Sequence, residues 1–247
     1  MLGYELSENF IRPYFSNSIQ KFWNSWHISL SSWLRDYIFF PLRRRLLRKE
    51  GLPKWVILFS PPLITMLVCG IWHGANWSFV IWGILHGCYL IIENYYRLRA
   101  DSFVEKLGTK IISSLYQAFQ TFITFILVCF GWVFFRANSI NDAFLLLRNL
   151  TSLDIKEYMA ALLAHDLNGF LKPFTFNGGL NQGDLLLSIS LIGFLLGIEA
   201  LSSRTDLNKK IDQMPIILRW SFYVAATFGI VLLSVDISTK NFIYFQF

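Results

Sequence analysis

The chain alternates between long apolar stretches and short polar connectors, which is the pattern of a protein that crosses a lipid bilayer several times. A helix needs about 20 mostly apolar residues to cross the hydrocarbon core. Five stretches approach that length and are predicted to be transmembrane helices: Pro53–Trp72, Trp77–Ile92, Ile111–Phe135, Leu185–Leu201 and Pro215–Val235. The pattern predicts an all-α fold, a multi-span transmembrane helical bundle of about five spans with amphipathic or re-entrant helices.

Local features modify this layout. Pro61 and Pro62 predict a kink or a break in the first span, because proline lacks the N–H that a helix uses. Trp26–Pro41 is apolar on one side and charged within, so we expect an amphipathic helix on the interface or a re-entrant one. Asn141–Ala164 has apolar residues at helical spacing and is predicted to be a surface helix. The Asn-Gly-Gly at 177–179 predicts a turn.

The lysines and arginines assign a side of the membrane to each connector. Six of them fall between Leu42 and Lys54, whereas the connector 70–76 has none. By the positive-inside rule the basic connector lies in the cytoplasm. We expect a single membrane domain over 1–247. Its parts are an interfacial or re-entrant segment with a basic cytoplasmic loop (1–52), core spans (53–135), an extracytoplasmic loop (136–184), and the last two spans with a tail (185–247).

Composition supports this class and weakens others. Hydrophobic residues make up 54% of the chain and charged residues only 15%, more apolar surface than one soluble core of 247 residues can bury. The net charge of +6 does not indicate nucleic acid, because basic residues cluster beside apolar runs, as in Pro41–Lys49. Such clusters contact anionic lipid headgroups. The expected partner is therefore the lipid bilayer, with no nucleic acid.

The first group of residues that could carry chemistry surrounds His73. Gly70 and Gly74 flank this histidine and let a backbone or ligand approach closely, and Trp72 has an amphipathic ring suited to an interface or a tunnel wall. An imidazole at membrane depth is costly unless it faces a cavity or a partner. Its pKa also suits proton transfer. A functional histidine and an interfacial histidine satisfied by a backbone carbonyl both remain open.

The second group occupies Phe22–Tyr37. On a helix, His27 and Ser31 share a face, as do Ser32 and Asp36. With Arg35 they form a polar strip beside tryptophans that include Trp26. This strip could line a groove for a polar substrate, and it could equally be the solvated face of an interfacial helix, which is the reading the sequence favours.

The remaining signals are weaker. His86 falls within a predicted span and is expected to be a buried, hydrogen-bonded residue, and His165 in the polar loop is interpreted as incidental. No metal site is predicted, because the sequence contains no HExxH and few acidic residues near its histidines. Gly-rich phosphate loops and GxSxG motifs are also absent from the sequence.

Two ordered motifs resemble the signatures of the membrane-bound O-acyltransferase (MBOAT) superfamily, in its alginate O-acetyltransferase branch. The first comprises Asn9-Phe10, Arg12-Pro13-Tyr14, Phe22-Trp23, Trp26-His27, Ser29-Leu30-Ser31, Trp33 and Arg35-Asp36-Tyr37. The second comprises Trp72-His73-Gly74-Ala75-Asn76-Trp77, Trp82-Gly83 and Leu85-His86-Gly87. The closing residues 242–247 are also similar, so the resemblance extends over nearly the whole chain. It departs from the family pattern at Asn24-Ser25, where a basic pair is usual, and at Arg43-Arg44-Arg45, where Gly-Gly follows Pro-Leu.

This resemblance implies an acyltransferase. His73 would be the catalytic histidine and His27 the second signature histidine of the reaction chamber. From its proximity in the sequence alone, Asn76 is expected to orient the imidazole or to donate to the oxyanion. Substrate-tunnel or supporting positions would be Trp72, Trp26, Ser31, Arg35 and Asp36.

The expected reaction is acetyl transfer from acetyl-CoA, or another acyl thioester, to an exported polysaccharide. The expected setting is the bacterial inner membrane, with a periplasmic SGNH-type acetyltransferase as partner and no bound cofactor. The alternatives are D-alanyl transfer to teichoic acid and a non-catalytic membrane scaffold or fragment. Family members are about twice this length, so we expect the chain to correspond to their C-terminal half.

Overall fold

A computed structural model of the chain describes residues 7–107, 110–151, 182–202 and 207–234. Within these ranges the secondary structure is helical, and the β-type pairing is a single isolated bridge between Phe10 and Trp26. The predicted all-α class is therefore confirmed. The chain divides into two compact units, Met1–Arg148 and Asn149–Phe247, which are considered separately.

Short helical segments open the first unit. A 3-10 turn (Pro13–Phe15) precedes helix α1 (Ile19–Ser25). One continuous helical stretch then follows, made of α2 (Ile28–Leu34), a π-helical turn (Arg35–Phe39) and α3 (Phe40–Leu47). This stretch corrects the predicted helix over Trp26–Pro41. It begins after His27, whose left-handed backbone (φ 43°) interrupts the helix, and it continues past Pro41, which follows directly after the π-helical turn.

Long helices complete the first unit: α4 (Lys54–Trp72), α5 (Trp77–Leu107), α6 (Lys110–Arg136) and α7 (Ile140–Thr151). Pro61 and Pro62 lie inside α4, which remains a single helix, so the expectation of a break there is wrong. The segment 97–107, predicted as part of a connector, belongs to α5. The first three predicted spans are thus all found as helices, with their starts close to the predicted positions.

The second unit contributes α8 (Gln182–Ser202), α9 (Leu207–Asp212) and α10 (Ile216–Ser234). Helices α8 and α10 correspond to the last two predicted spans. Two helices in the described part of the chain, α4 and the Ile112–Arg136 portion of α6, are long and apolar enough to cross a bilayer, while α8 and α10 hold shorter apolar stretches. Residues 152–181 and 235–247, with His165, the predicted turn at 177–179 and the closing motif, lie outside the described residues.

Helices α4 and α5 form a hairpin whose backbones approach closely at three glycines. A Cβ added at Gly70 would collide with the main-chain oxygen of Phe79, and one added at Gly83 would collide with that of Met66. At Gly87 the added atom would lie 3.0 Å from Leu63 Cα. Small residues are what allow helix backbones to approach so closely in membranes. The hairpin therefore sets the position of the turn at residues 73–76.

Helices α1 and α6 pack against this hairpin and close the core. The core is aromatic at its centre, where Phe22, Trp23 and Trp82 are almost fully buried. Helix α7 buries Ala143 against it, while Phe144 is exposed, so only part of the predicted apolar face is used. The opposite face of α6 is exposed and apolar; it comprises Leu115, Phe119, Phe122 and Ile126. An exposed apolar face of this kind on a long helix suits contact with lipid.

Candidate functional site

His73 occupies the turn between the two helices of the hairpin. It is the residue that ends α4, and its backbone N–H donates to Gly70 O at 3.1 Å. The next residue, Gly74, has φ 144°, a conformation that is open to glycine and strained for other residues. The motif of glycine on both sides of the histidine therefore has a structural cause. One glycine allows the helices to approach, and the other turns the chain back.

Asn76 is engaged in shaping this turn. Its Oδ1 accepts the backbone N–H of Ser78 at 3.0 Å at the start of α5, and its Nδ2 donates to Asn138 O at 2.8 Å. A side-chain oxygen at this position satisfies an otherwise unpaired N–H of the first helical turn. These contacts assign Asn76 a structural role in the turn, and its expected role at the imidazole or the oxyanion stays a prediction. The side-chain amide of Asn76 stabilises the turn, and the turn positions His73.

Four aromatic side chains surround the imidazole of His73, and we call them the aromatic cage: Trp72, Phe79, Trp82 and Phe135. Their ring centroids lie 4.8, 6.0, 5.3 and 4.8 Å from that of His73, respectively. Trp82 and Phe135 meet the imidazole almost edge-on, at interplanar angles of 87° and 82°. The ring is partly buried and belongs to the turn outside the α4 span. It therefore has an apolar surrounding on several sides while part of its surface remains accessible.

This surrounding controls the protonation of His73. Burial lowers the pKa of His73, and the nearby His27 lowers it further. Desolvation disfavours the charged form of an imidazole, and a second histidine discourages a positive charge beside it. The side chain is therefore neutral at neutral pH, which is the form that accepts a proton.

His27 and His73 both contact Trp72. The centroid of the Trp72 ring is 6.4 Å from that of His27 and 4.8 Å from that of His73. The two signature histidines, 46 residues apart in the sequence, are thus brought to the same indole. His27 does not stand on a helix face as predicted. It precedes α2, and its carbonyl accepts the N–H of Ser31 at 2.9 Å.

Asn9 fixes the backbone around His27. The main-chain oxygen of Asn9 accepts the N–H of Ile28 at 3.0 Å, and its side-chain Oδ1 accepts the N–H of Ser29 at 2.9 Å. His27 itself makes no side-chain cap for α2, so Asn9 supplies that function from another segment. In the sequence, nothing indicates this capping role of Asn9 except its position as the first residue of the first motif.

The other predicted site residues are divided between two locations. Trp26 lies with the aromatic core, its ring 5.1 Å from that of Trp132. Ser31 and Arg35 line a cavity of about 550 Å³ between the α1–α3 segment and the α4–α5 hairpin. Asp36 pairs with Arg35 at 3.1 Å, and both side chains are half-exposed. The polar strip thus faces this cavity and solvent, and the lining of the cavity includes neither His27 nor His73.

His86 is fully buried and hydrogen-bonded, as predicted. Trp23 Nε1 donates to His86 Nδ1 at 3.3 Å, and because an indole can only donate, the proton of the neutral imidazole is on Nε2. That nitrogen faces Gly131, where an added Cβ would lie 2.8 Å away. Trp82 packs between this histidine and His73, with centroid separations of 4.9 and 5.3 Å. His86 therefore belongs to the support behind the aromatic cage.

Among the residues that the structure describes, no three His, Cys, Asp or Glu side chains form a group able to hold a metal ion. The groups described around His73 are its imidazole, the apolar rings of the aromatic cage and the nearby His27.

Comparison with known proteins assigns a family to this arrangement. The model of the membrane-bound O-acyltransferase (MBOAT) family matches residues 3–135. This range contains the α4–α5 hairpin, both signature histidines and the helices that line the cavity. The matched region is shorter than the nearly chain-long resemblance expected from the motifs, and it does not include the closing residues 242–247.

Individual relatives fall into three groups. The probable alginate O-acetylase AlgI of Azotobacter vinelandii is 43% identical over 143 residues, which are 58% of this chain and 25% of that protein. The peptidoglycan O-acetyltransferase of Helicobacter pylori is 34% identical over 150 residues, 61% of this chain and 26% of that protein. The teichoic acid D-alanyltransferase of Streptococcus thermophilus is 32% identical over 149 residues, 58% of this chain and 35% of that protein. The matched segment spans about a quarter to a third of these relatives' length.

Proposed function

Because the chain belongs to the membrane-bound O-acyltransferase family, we propose that it takes part in transferring acetyl groups to hydroxyls of an exported polysaccharide. The observation that carries the proposal is the position of His73. Its neutral imidazole stands in the aromatic cage, next to His27, at the turn of the α4–α5 hairpin. The similarity to a probable alginate O-acetylase and to a peptidoglycan O-acetyltransferase supports acetyl as the transferred group.

In the proposed reaction His73 acts as a general base. Its unprotonated nitrogen removes the proton of an acceptor hydroxyl as that oxygen attacks the carbonyl carbon of an acetyl thioester. The new C–O bond forms, the C–S bond breaks, and the imidazolium returns its proton to the departing thiolate. The apolar rings of the cage limit the access of water, which would otherwise compete as the acceptor and screen the developing charges.

His27 is proposed to assist through its position beside His73. It lowers the pKa of His73, which keeps the base unprotonated. Trp72 contacts both imidazoles and, since half of its surface is exposed, is proposed to form part of the wall by which a substrate would enter. Asn76 is proposed to act through the geometry of the turn.

The donor, the setting and the partner are further parts of this proposal. Acetyl-CoA, or another acyl thioester, would deliver the acetyl group from the cytoplasmic side, where the basic α3 lies if the positive-inside rule holds. The protein would reside in the bacterial inner membrane. A periplasmic SGNH-type acetyltransferase would receive the group and complete its transfer to the exported polymer.

D-alanyl transfer is the second candidate, because a teichoic acid D-alanyltransferase is among the relatives. The ester groups on exported polymers distinguish acetyl transfer from D-alanyl transfer. Polymers are isolated from source cells with the gene intact and with the gene deleted. Mild alkali then releases the esterified acids, which are identified and compared between the two strains. Loss of acetate on deletion supports the proposal, loss of D-alanine supports the second candidate, and unchanged amounts of both contradict the two together.

A further inference from the structure

The cavity beside the α1–α3 segment has no role in the proposed reaction, and its lining is unusual in combining charge with an apolar wall. One side is formed by α1, α2, the π-helical turn and α3, and it includes Asn24, Arg35 and Arg43. The other side is formed by α4 and α5 and includes Ile57, Leu58 and Glu93. Its volume of about 550 Å³ is in the range of ordinary ligand sites.

The charges in this lining favour an anion. Two arginines and one glutamate line the cavity; Arg35 is also paired with Asp36, which is outside the lining, and the glutamate accepts the backbone N–H of Gln20 through Oε2 at 3.1 Å. Three further arginines on or next to α3, at positions 44, 45 and 48, increase the positive potential around its mouth. Arginine presents several N–H donors in a planar arrangement that matches the oxygens of a phosphate group.

The position of the cavity along α4 indicates that its ligand also has an apolar part. Its α4 lining runs from Ile57 to Met66, and α4 itself begins at Lys54. At about 1.5 Å per residue, the lining extends roughly 13 Å along the helix axis from a point near its start. Since α4 is a candidate span that begins beside the basic segment, one end of the cavity lies at headgroup level and the other at the level of acyl chains.

We propose that this cavity binds an anionic phospholipid, with its phosphate at Arg35 and Arg43 and an acyl chain that runs along the α4 lining from Leu58 towards Met66. A free phosphate would use the arginines and leave the apolar wall unused, and a neutral lipid would use the wall and leave the arginines without a phosphate. A bound lipid there would hold the α1–α3 segment, which carries His27 between α1 and α2, against the hairpin that carries His73. This site is separate from the proposed acetyl transfer and does not depend on it.

The test measures lipid binding to the full chain in a neutral detergent by native mass spectrometry. Phosphatidylglycerol is compared with phosphatidylcholine of the same acyl chains, and inorganic phosphate is added as a competitor. We expect phosphatidylglycerol to remain bound in preference to phosphatidylcholine, and millimolar phosphate not to displace it. Equal retention of the two lipids, or displacement by phosphate alone, would overturn the proposal.

Two pairs of variants locate the site. Arg43→Gln removes a charge from the lining and Arg44→Gln removes the same charge from outside it, so the first should weaken phosphatidylglycerol binding by about tenfold and the second by much less. Leu58→Trp fills the apolar wall, whereas Ile64→Trp enlarges another exposed residue of α4 that is outside the lining (47% and 39% exposed, respectively).

The two pairs have separate readings. Equal losses for Arg43→Gln and Arg44→Gln would indicate diffuse attraction to basic residues and contradict a site. Unchanged binding in Leu58→Trp would place the lipid elsewhere. If Arg43→Gln fails to fold, as judged by circular dichroism, the Leu58→Trp and Ile64→Trp pair decides the question, because neither removes a charge.

Discussion

Replacement of Asn9 by alanine tests how the segment before α1 fixes His27. The side-chain Oδ1 of Asn9 accepts the N–H of Ser29, in the first turn of α2, at 2.9 Å. The main-chain oxygen of Asn9, which accepts the N–H of Ile28, is unaffected by the substitution. Asn9→Ala therefore removes one capping hydrogen bond next to His27 and leaves the backbone pairing in place.

The expected loss can be estimated from that single bond. Removing an N-cap acceptor costs about 1 kcal/mol, within a range of roughly 0.5–2 kcal/mol. The backbone of His27 is also held in the left-handed region at φ 43°, which costs a non-glycine residue about 1–2 kcal/mol. This cost reduces the local stability that can offset the loss of the hydrogen bond. A loss of ~1 kcal/mol raises the open population of the first turn of α2 about fivefold.

Hydrogen–deuterium exchange in detergent micelles measures this opening. Asn9→Ala should speed exchange at the amides of α2 about fivefold, whereas Asn9→Asp, which keeps the acceptor and adds a negative charge at a helix N-terminus, should be protected at least as well as the parent. Ser18→Ala is the matched control, because it removes the equivalent cap from α1, where Lys21 N donates to Ser18 Oγ at 3.1 Å.

Three results would refute this reasoning. The first is that Ser18→Ala speeds exchange in α2 as much as Asn9→Ala does, and the second is that Asn9→Asp exchanges as fast as Asn9→Ala. The third is that exchange in α2 is unchanged in Asn9→Ala. The imidazole NMR signals of His27 provide a second readout. They should shift in Asn9→Ala and remain in place in Ser18→Ala, since only the first loosens the backbone that carries this ring.

Three further predictions concern the hairpin, the core and the base. Gly83→Ala should destabilise the protein by about 1–3 kcal/mol in thermal unfolding, because the new methyl group meets a main-chain oxygen of α4. Gly193→Ala, with nothing within 4 Å, should stabilise α8 by up to about 1 kcal/mol. A Gly83→Ala protein as stable as the parent would contradict the close approach. Trp23→Phe removes the N–H donated to the buried histidine of α5 and should cost about 1–3 kcal/mol in chemical unfolding, while Trp220→Phe, at an exposed position, should have little effect. Because burial lowers the pKa of His73 and the base must be neutral, the acid limb of the rate–pH profile should lie below the ordinary histidine value of about 6.5; a limb at or above that value would contradict the burial.

The long helices could be predicted because their signal is local. An apolar stretch of sufficient length is sufficient to identify α4, α6, α8 and α10, whatever their neighbours are. Helix α5 was predicted to end at Ile92 but continues to Leu107, because the charged residues that end an apolar stretch need not end a helix. The prolines of α4 predicted a kink or a break, and the single continuous helix excludes the break.

The sequence indicates candidate residues for the site but not their geometry. His27 and His73 belong to two separate motifs, and the structure brings both into contact with Trp72. The helical face proposed for His27 failed, because Asn9, 18 residues earlier, determines where α2 begins. Hydrogen bonds between distant segments leave no periodic pattern in the sequence, so helical spacing alone placed this histidine inside a helix.

The cavity was beyond sequence analysis for a related reason. Arg35 and Arg43 are eight residues apart on one continuous helical stretch, but their relation to Ile57 and Leu58 exists only after α4 packs against that stretch. The sequence predicted a polar strip and left open whether it lined a groove or faced solvent. Both occur: Arg35 and Ser31 line the cavity, and Asp36 is half-exposed beside it.

The most direct test of the account is the transfer of labelled acetyl from a thioester donor to a hydroxyl acceptor in membranes that contain the protein with His73 or with His73→Gln. Glutamine is close to histidine in size but cannot act as a base, so we predict loss of transfer while membrane insertion and tryptophan fluorescence stay unchanged. Transfer at the parental rate by a folded His73→Gln protein would contradict the assignment of this imidazole as the base.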